Sequence, residues 1–296
     1  MLDANTIQIQ SLKCSSWKNI RVDVLRLDQL HDVVSGNKWF KLKFYLAEAK
    51  ALGKKTIATF GGAYSNHIVA TAFACKEAGL KSIGFIRGEK PPQLSASLQE
   101  AEQYGMQLIY VSREAYKNKE HIVHEYAEEN WYCINEGGYG IYGMLGAKEM
   151  LQSTDTSSYT HIICACGTGT TLAGLVEAAL PHQQCIGISV LKGHVNLRND
   201  VMELLPGEHQ DKSFELFHDF HFGGYAKHPK ELIDFMNELW RAEQLPTDIV
   251  YTGKLVFAVK ELTAQNHFSV SDKLLIIHSG GLQGNRSLPK DTLEFS

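Results

Sequence analysis

Thr56-Ile57-Ala58-Thr59-Phe60 is closed by Gly61-Gly62 and followed by a helical pattern from His67 to Ala78 that stops at Gly79. A short apolar run rich in β-branched residues, a glycine turn and a helix make one strand-to-helix unit. The unit recurs. Ser82-Ile83-Gly84-Phe85-Ile86 reads as a strand, residues 95–104 as a helix, Gln107 to Val111 as a strand, residues 118–129 as a helix and Tyr132-Cys133-Ile134 as a strand. Strands alternating with helices predict βαβ units around a parallel sheet.

Toward the C-terminus a second module begins near Gly143. It reads as a helix to about Gln152, a strand over 159–165, the loop Gly167-Thr168-Gly169-Thr170-Thr171, a helix over 172–179 and a strand from Cys185 to Val190. Phe214 to Phe220 reads as extended, residues 229–242 and 254–264 as helices, Leu274 to Ile277 as a strand, and Leu288 to Ser296 as a polar tail. Toward the N-terminus Ile7 to Leu12 and Ile20 to Leu27 look extended, and the second alternates apolar with polar residues, which implies one exposed face. Leu42, Tyr45, Leu46 and Ala49 recur at helical spacing, with Gly53 where a C-cap is expected. The expected fold is α/β: two open three-layer lobes with mainly parallel sheets and a cleft between them. Residues 1–42 and 143–296 are expected to form the larger lobe and residues 43–142 the smaller.

With 44% apolar and 21% charged residues the 296-residue chain has the composition of a globular protein. A net charge of −4 with scattered lysines gives no support for a nucleic-acid or polybasic membrane partner. Met1-Leu2-Asp3-Ala4-Asn5 lacks the basic and apolar regions of a signal peptide and no apolar run of membrane-spanning length occurs, so a cytoplasmic location is expected. The six cysteines, Cys14, Cys75, Cys133, Cys164, Cys166 and Cys185, fall mostly within apolar segments, as reduced thiols do. Cys164-Ala165-Cys166 alternates on a strand without a second cysteine/histidine pair at ligand spacing, so no metal site is expected.

Ser35-Gly36-Asn37-Lys38 presents a single lysine ahead of an amphipathic helix, where its amine can face a cleft. The loop 167–171 lies between a strand and a helix, so backbone N–H groups, threonine hydroxyls and a helix N-terminus can converge on a phosphate; the same residues would also make an ordinary βα turn. A dinucleotide fingerprint fits poorly, because Leu172 stands where G-x-G-x-x-G needs its third glycine and the next strand ends in Val190-Leu191-Lys192 rather than in an acid. Ser65 is a candidate N-cap, and the N–H groups of the helix that it opens can bind a substrate carboxylate with the hydroxyl close to the reacting carbon. His67 is expected to be neutral, a polar wall rather than an acid. An amine, a phosphate site and a Tyr251-Thr252-Gly253-Lys254 turn able to receive a heteroaromatic ring outline an enzyme of pyridoxal 5′-phosphate (PLP), which needs all three.

Gly36-Asn37-Lys38, Ser65-Asn66-His67, Gly137-Gly138, residues 167–174, Tyr251-Thr252-Gly253-Lys254 and His278-Ser279-Gly280-Gly281 occur in one order between about residue 20 and residue 282. Together they resemble the family of 1-aminocyclopropane-1-carboxylate (ACC) deaminase and D-cysteine desulfhydrase. The resemblance implies a tryptophan-synthase-β-like fold (PLP fold type II), a homodimer and a Schiff base between PLP and Lys38. It also implies that Lys41 and Gly167, Thr168, Gly169, Thr170 and Thr171 hold the phosphate, and that Asn66 lies beside the ring hydroxyl. Ser65, Asn66 and His67 would meet the substrate, and Tyr225 and Tyr251 would flank the reacting centre. Phe40 stands where the family usually has arginine, Tyr139 where serine often follows the glycine pair, and the N-terminus is shorter than usual. Thr252 replaces a glutamate of the deaminase branch, and His67 replaces its glutamine. A hydroxyl of Thr252 or Ser279 would then meet the ring nitrogen, which favours β-elimination from D-cysteine or a related D-amino acid over opening of the ACC ring. A racemase and a non-catalytic PLP carrier are the remaining readings.

Overall fold

The apolar runs pair as two separate sheets in the computed structural model, which describes residues 7–295 apart from 32, 35 and 210. The readings of Met1 to Asn5, Ser35 and Ser296 therefore lie outside the described residues. In chain order the elements are β1 (Ile9–Ser11), β2 (Arg21–Arg26), α1 (Asn37–Ala51), β3 (Thr56–Gly61), α2 (Asn66–Ala78), β4 (Lys81–Arg87), α3 (Ala96–Gln103), β5 (Met106–Val111), α4 (Lys119–Tyr126) and β6 (Trp131–Ile134). They continue as α5 (Ile141–Gln152), β7 (His161–Cys166), α6 (Thr170–Ala178), β8 (Gln184–Ser189), α7 (Leu197–Met202), β9 (Phe214–Phe217), α8 (Lys230–Glu243), α9 (Thr252–Ala264) and β10 (Lys273–His278).

The smaller sheet has the order β5-β4-β3-β6 and is parallel throughout. The larger has the order β1-β2-β10-β7-β8-β9 and is parallel except for β1, which runs antiparallel to β2. Parallel sheets need helices on both faces. On the larger sheet Val24, Ile163, Ile186 and Ile276 pack with Met236 of α8 and Val256 of α9, while Ile162, Cys164 and Ile277 pack with Met144 of α5 and Leu172 of α6 on the other face. On the smaller sheet Ile57 packs with Ala70 of α2, Ile86 with Leu98 of α3, and Phe60 and Phe85 with Tyr116 and with Ile122 of α4. The α/β expectation of mainly parallel sheets is what the chain adopts. Helix α1 runs unbroken from Asn37 to Ala51 and carries the chain from the larger sheet to the smaller.

Several local expectations are corrected. Alternation in β2 implied an exposed face, yet Val22 to Arg26 are all buried. The polar alternates can enter the interior because they are paired: Asp23 Oδ2 accepts from Tyr159 Oη at 2.7 Å, and Arg26 forks onto Asp28 at 2.9 and 2.7 Å. The tail is docked, with Leu293 buried, Phe295 against Trp240 and Glu294 paired with Arg241 at 2.8 Å. Helix α6 begins at Thr170 instead of 172, so the last two residues of the glycine/threonine loop form its first turn. The strand expected to Phe220 ends at Phe217, and α7 was not foreseen. Lys38 does not follow directly on a strand either; β2 ends at Arg26 and a 3-10 turn over Leu27–Gln29 intervenes.

Candidate active site

Carboxyl ends of parallel strands are where α/β proteins open a crevice, and both sheets turn that end toward one cavity of about 1010 Å³. Its walls are the segments that follow β3 (Gly62, Ser65, Asn66, His67), β6 (Glu136, Gly137), β7 (residues 167–171) and β10 (Ser279, Gly280, Gly281), together with Arg87 at the end of β4 and with Lys38, Lys41, Tyr225 and Tyr251. Thirteen of the residues singled out from the sequence therefore meet in one place: Lys38, Lys41, Ser65, Asn66, His67, residues 167–171, Tyr225, Tyr251 and Ser279. Thr252 does not join them. It is fully buried, its hydroxyl donates to Asp248 Oδ2 at 2.6 Å, and it is absent from the cavity wall.

The start of α1 is fastened on two sides. Gly36 has φ +66°, and a Cβ there would lie 1.8 Å from the Ser279 carbonyl oxygen, so only glycine permits this approach. Asn37 donates its backbone N–H to that oxygen at 3.3 Å and its side-chain amide to Thr171 Oγ1 at 2.9 Å. The lysine that follows is thus tied to both the β10 turn and the β7 loop. Burial lowers the Lys38 amine from the ordinary lysine value to about 8. Burial, reinforced by Lys38, lowers Lys41 well below its usual value. Two lysines among the first five residues of a helix that has no acid in its first turn oppose the helix dipole. Neither has a carboxylate within ion-pair reach among the described residues.

A dianionic phosphate would supply the missing charge. Gly169 is the N-cap of α6 at φ +81° and offers no side-chain cap, so the first N–H groups of α6 are available to an anion. A Cβ at Gly169 would meet Val201 Cγ2 at 2.8 Å and Leu197 Cδ1 at 3.2 Å, so α7 presses on the loop from behind and holds it in this shape. Thr168 and Thr170 hydroxyls lie 2.9 Å apart at its rim.

Across the cleft Ser65 caps α2, its Oγ accepting from Ile68 N at 3.4 Å. Asn66 donates to the Gly281 carbonyl at 3.4 Å, and its buried Oδ1 has no partner. The tautomer of His67 follows from its neighbours. Thr59 spends its only hydroxyl proton on Ile134 O at 2.8 Å, so His67 Nε2, 2.8 Å from Thr59 Oγ1, must be the donor. His67 Nδ1 is left as a buried acceptor without a partner. Burial, then Lys38 and Lys41, lower the His67 pKa well below the usual range, in keeping with the neutral ring expected. Orphaned buried acceptors in the same cavity as an anion site suit a bound ring whose hydroxyl can donate to one of them. The residues present fit PLP.

Tyr225 and Tyr251 stand edge to face, centroids 6.4 Å apart. Burial pushes the Tyr225 hydroxyl up to about 12 and raises that of Tyr251 well above 10, so both stay protonated and can donate. Tyr251 sits on a turn built by Asp248, whose Oδ1 accepts from Val250 and Tyr251 N–H at 2.8 Å and whose Oδ2 accepts from Thr252 N–H at 2.9 Å. Of the two departures from the family pattern, Phe40 is buried in the core beneath α5, and Tyr139 donates to the Asp200 carbonyl at 3.1 Å, tying the glycine pair to α7. Sequence reasoning missed Arg87, Glu136 and Asp248, and gave Lys254 no role beyond its place in the Tyr251-Thr252-Gly253-Lys254 turn; a lone charged residue carries no pattern of its own.

A cleft with a half-buried, partly neutral lysine, an anion cradle and two protonated tyrosines suits an enzyme that works through a phosphorylated carbonyl cofactor. The sequence pattern of the family described as "Pyridoxal-phosphate dependent enzyme" matches residues 18–280, and the chain belongs to that family. It is 33% identical to a Thermotoga maritima protein provisionally named 1-aminocyclopropane-1-carboxylate deaminase, covering 93% of this chain and 94% of that one. It is 28% identical to the bifunctional D-cysteine desulfhydrase/1-aminocyclopropane-1-carboxylate deaminase, mitochondrial, of Arabidopsis thaliana, covering 85% of this chain and 70% of that protein. The crystal structure of an ACC deaminase homologue superposes with a TM-score of 0.82 at 28% identity, over 94% of this chain and 90% of the other. The protein is a PLP-dependent enzyme.

Proposed function

We propose that the enzyme eliminates a leaving group from the β-carbon of a small D-amino acid, D-cysteine or a relative, to give pyruvate, ammonia and sulfide. The observation that carries this reading is the character of the wall at the β9–β10 side of the cleft. Both oxygens of Asp248 are consumed by backbone N–H groups and by the Thr252 hydroxyl, and the group that lines the cavity there is Ser279. A hydroxyl gives the cofactor's ring nitrogen a neutral hydrogen bond, about half as strong as a charge-assisted one. PLP, when bound, withdraws electrons from the substrate's α-carbon; a weaker withdrawal suits departure of a good leaving group better than cleavage of an unactivated ring bond.

In this reading Lys38 holds the cofactor's aldehyde, Lys41 and residues 167–171 its phosphate, Asn66 its ring hydroxyl and Ser279, in place of Thr252, its ring nitrogen. The N-terminus of α2, with Ser65 and His67, receives the substrate carboxylate. Lys38 or Ser65 takes the α-proton, and Tyr251 or Tyr225, held protonated by burial, donates to the departing group. The name of the Thermotoga relative favours ACC ring opening as the second reading. The sheet memberships support a larger lobe of residues 1–42 plus 143–296 and a smaller one of 43–142. The resemblance supports a homodimer, and six unpaired cysteines support a cytoplasmic setting.

A keto-acid and sulfide assay over D- and L-amino acids and ACC tests the reading. Sulfide and pyruvate from D-cysteine, with little or no 2-oxobutanoate from ACC, is the expected result. Efficient ACC turnover without activity on D-cysteine or β-chloro-D-alanine would contradict it, as would enantiomer exchange without keto acid or a protein that binds PLP and turns over nothing.

A further inference from the structure

We propose that Arg87 is a specificity-determining residue that receives an anionic group on the substrate's side chain, so that small amino acids carrying a second acid at the β- or γ-position bind in preference to neutral ones of the same shape. The inference rests on the elimination reading for the reaction but not for the binding.

Arg87 is the last residue of β4, and it lines the same cavity as the α2 N-terminus and Tyr225. It is exposed only in the sense that the cleft is open, because neighbouring groups fix its place. The guanidinium carbon lies 5.8 Å from the centre of the buried Tyr116 ring, and a Cβ on Gly62 would stand 3.8 Å from Nη2. The guanidinium is therefore seated between an aromatic face and the turn that leads into α2.

The nearby charges do not neutralise it. Lys119 Nζ, 4.9 Å from the same Tyr116 ring, takes Glu136 at 3.1 Å, and Lys117 takes Glu114 at 2.7 Å. Arg87 has no carboxylate within ion-pair reach among the described residues. Since the α2 N-terminus and Ser65 already serve one carboxylate, the free fork is left for another anion. Its planar donors match a carboxylate, sulfonate or sulfate ester bidentately. For a β-substituent X the balance is X–CH2–CH(NH3+)–COO− plus water giving CH3–CO–COO−, NH4+, X− and H+. The bond broken is Cβ–X, whose electron pair leaves with X; Arg87 is placed to stabilise that departing charge.

The test titrates the PLP-loaded enzyme with D-aspartate and with D-asparagine, a pair of one shape and different charge, followed by cofactor absorbance, and repeats it with the L-enantiomers. Wild type is expected to bind aspartate about tenfold tighter than asparagine, as a charge-assisted pair worth somewhat over 1 kcal/mol gives. In Arg87→Gln the ratio should fall to about one, with Arg87→Lys between, whereas Lys117→Gln should keep it. No charge preference in wild type, no response to aspartate, or a preference that survives in Arg87→Gln would overturn the proposal. So would an equal weakening of both ligands by Arg87→Gln, which would assign Arg87 to the α-carboxylate. Keto-acid release from O-sulfo-D-serine against O-acetyl-D-serine should show the same collapse of preference. Because the titration needs no turnover, its failure and that of the elimination reading are read separately.

Discussion

A lysine that must react with an aldehyde near neutral pH needs a free lone pair, and Lys38 obtains it through burial, which brings its pKa to about 8. The neutral fraction falls about tenfold for each pH unit below that value. Capture of PLP by the apo-protein should therefore slow by about that factor per unit from pH 7 down to pH 6 and level off above pH 8.5. Stopped-flow absorbance measures it; a rate flat down to pH 6, or one still climbing toward pH 10.5, would show that burial does not set this amine. At this scale the sequence disclosed those residues whose chemistry is tied to a short motif: Lys38 behind Gly36, Ser65 at a helix start, Tyr251 before a glycine. Thr252 was misplaced because a hydroxyl's direction depends on Asp248, four residues earlier, and on a turn that spacing alone does not reveal. Arg87 was invisible because its meaning lies in Tyr116 and Gly62, which are neighbours only in the fold.

Among the elements, α9 governs the substrate side of the cleft. Tyr251 is its N-cap, and in its first turn the buried Lys254 donates to the carbonyls of His221 at 2.9 Å and Gly224 at 2.7 Å, in the loop that ends in Tyr225. One helix thus sets both tyrosines. Lys254→Met keeps the stem and removes two hydrogen bonds from a charged donor, at about 1.5–3 kcal/mol each, while the carbonyls of His221 and Gly224 keep only their turn N–H partners, Gly224 and Lys227. The expected outcome is a lower melting temperature and a fall in kcat/KM with PLP content retained, since no cofactor contact lies on that loop; wild-type stability and kcat/KM would remove Lys254 from this role. The strands and helices of the smaller lobe were legible because each apolar run is bounded by glycine or a cap. Buried β2 was misread because alternation reports exposure only while polar residues lack partners, and Asp23 and Arg26 find theirs in Tyr159 and Asp28. The docked tail was hidden similarly, its partners on α8 lying some fifty residues away in sequence.

For the whole molecule, two parallel sheets point their carboxyl ends at one cavity, and neither lobe holds the site alone. Asn66 and His67 come from the smaller sheet, residues 167–171 and Ser279 from the larger, and α1 passes between them carrying Lys38. The central claim is that this lysine is the cofactor's covalent anchor. Borohydride reduction of the PLP-loaded enzyme followed by peptide mass mapping tests it most directly. The account predicts a single phosphopyridoxyl group on Lys38, none in a folded Lys38→Ala variant, and loss of the yellow absorbance in that variant. A reduced adduct on Lys41, Lys254 or any other lysine of the variant would contradict it.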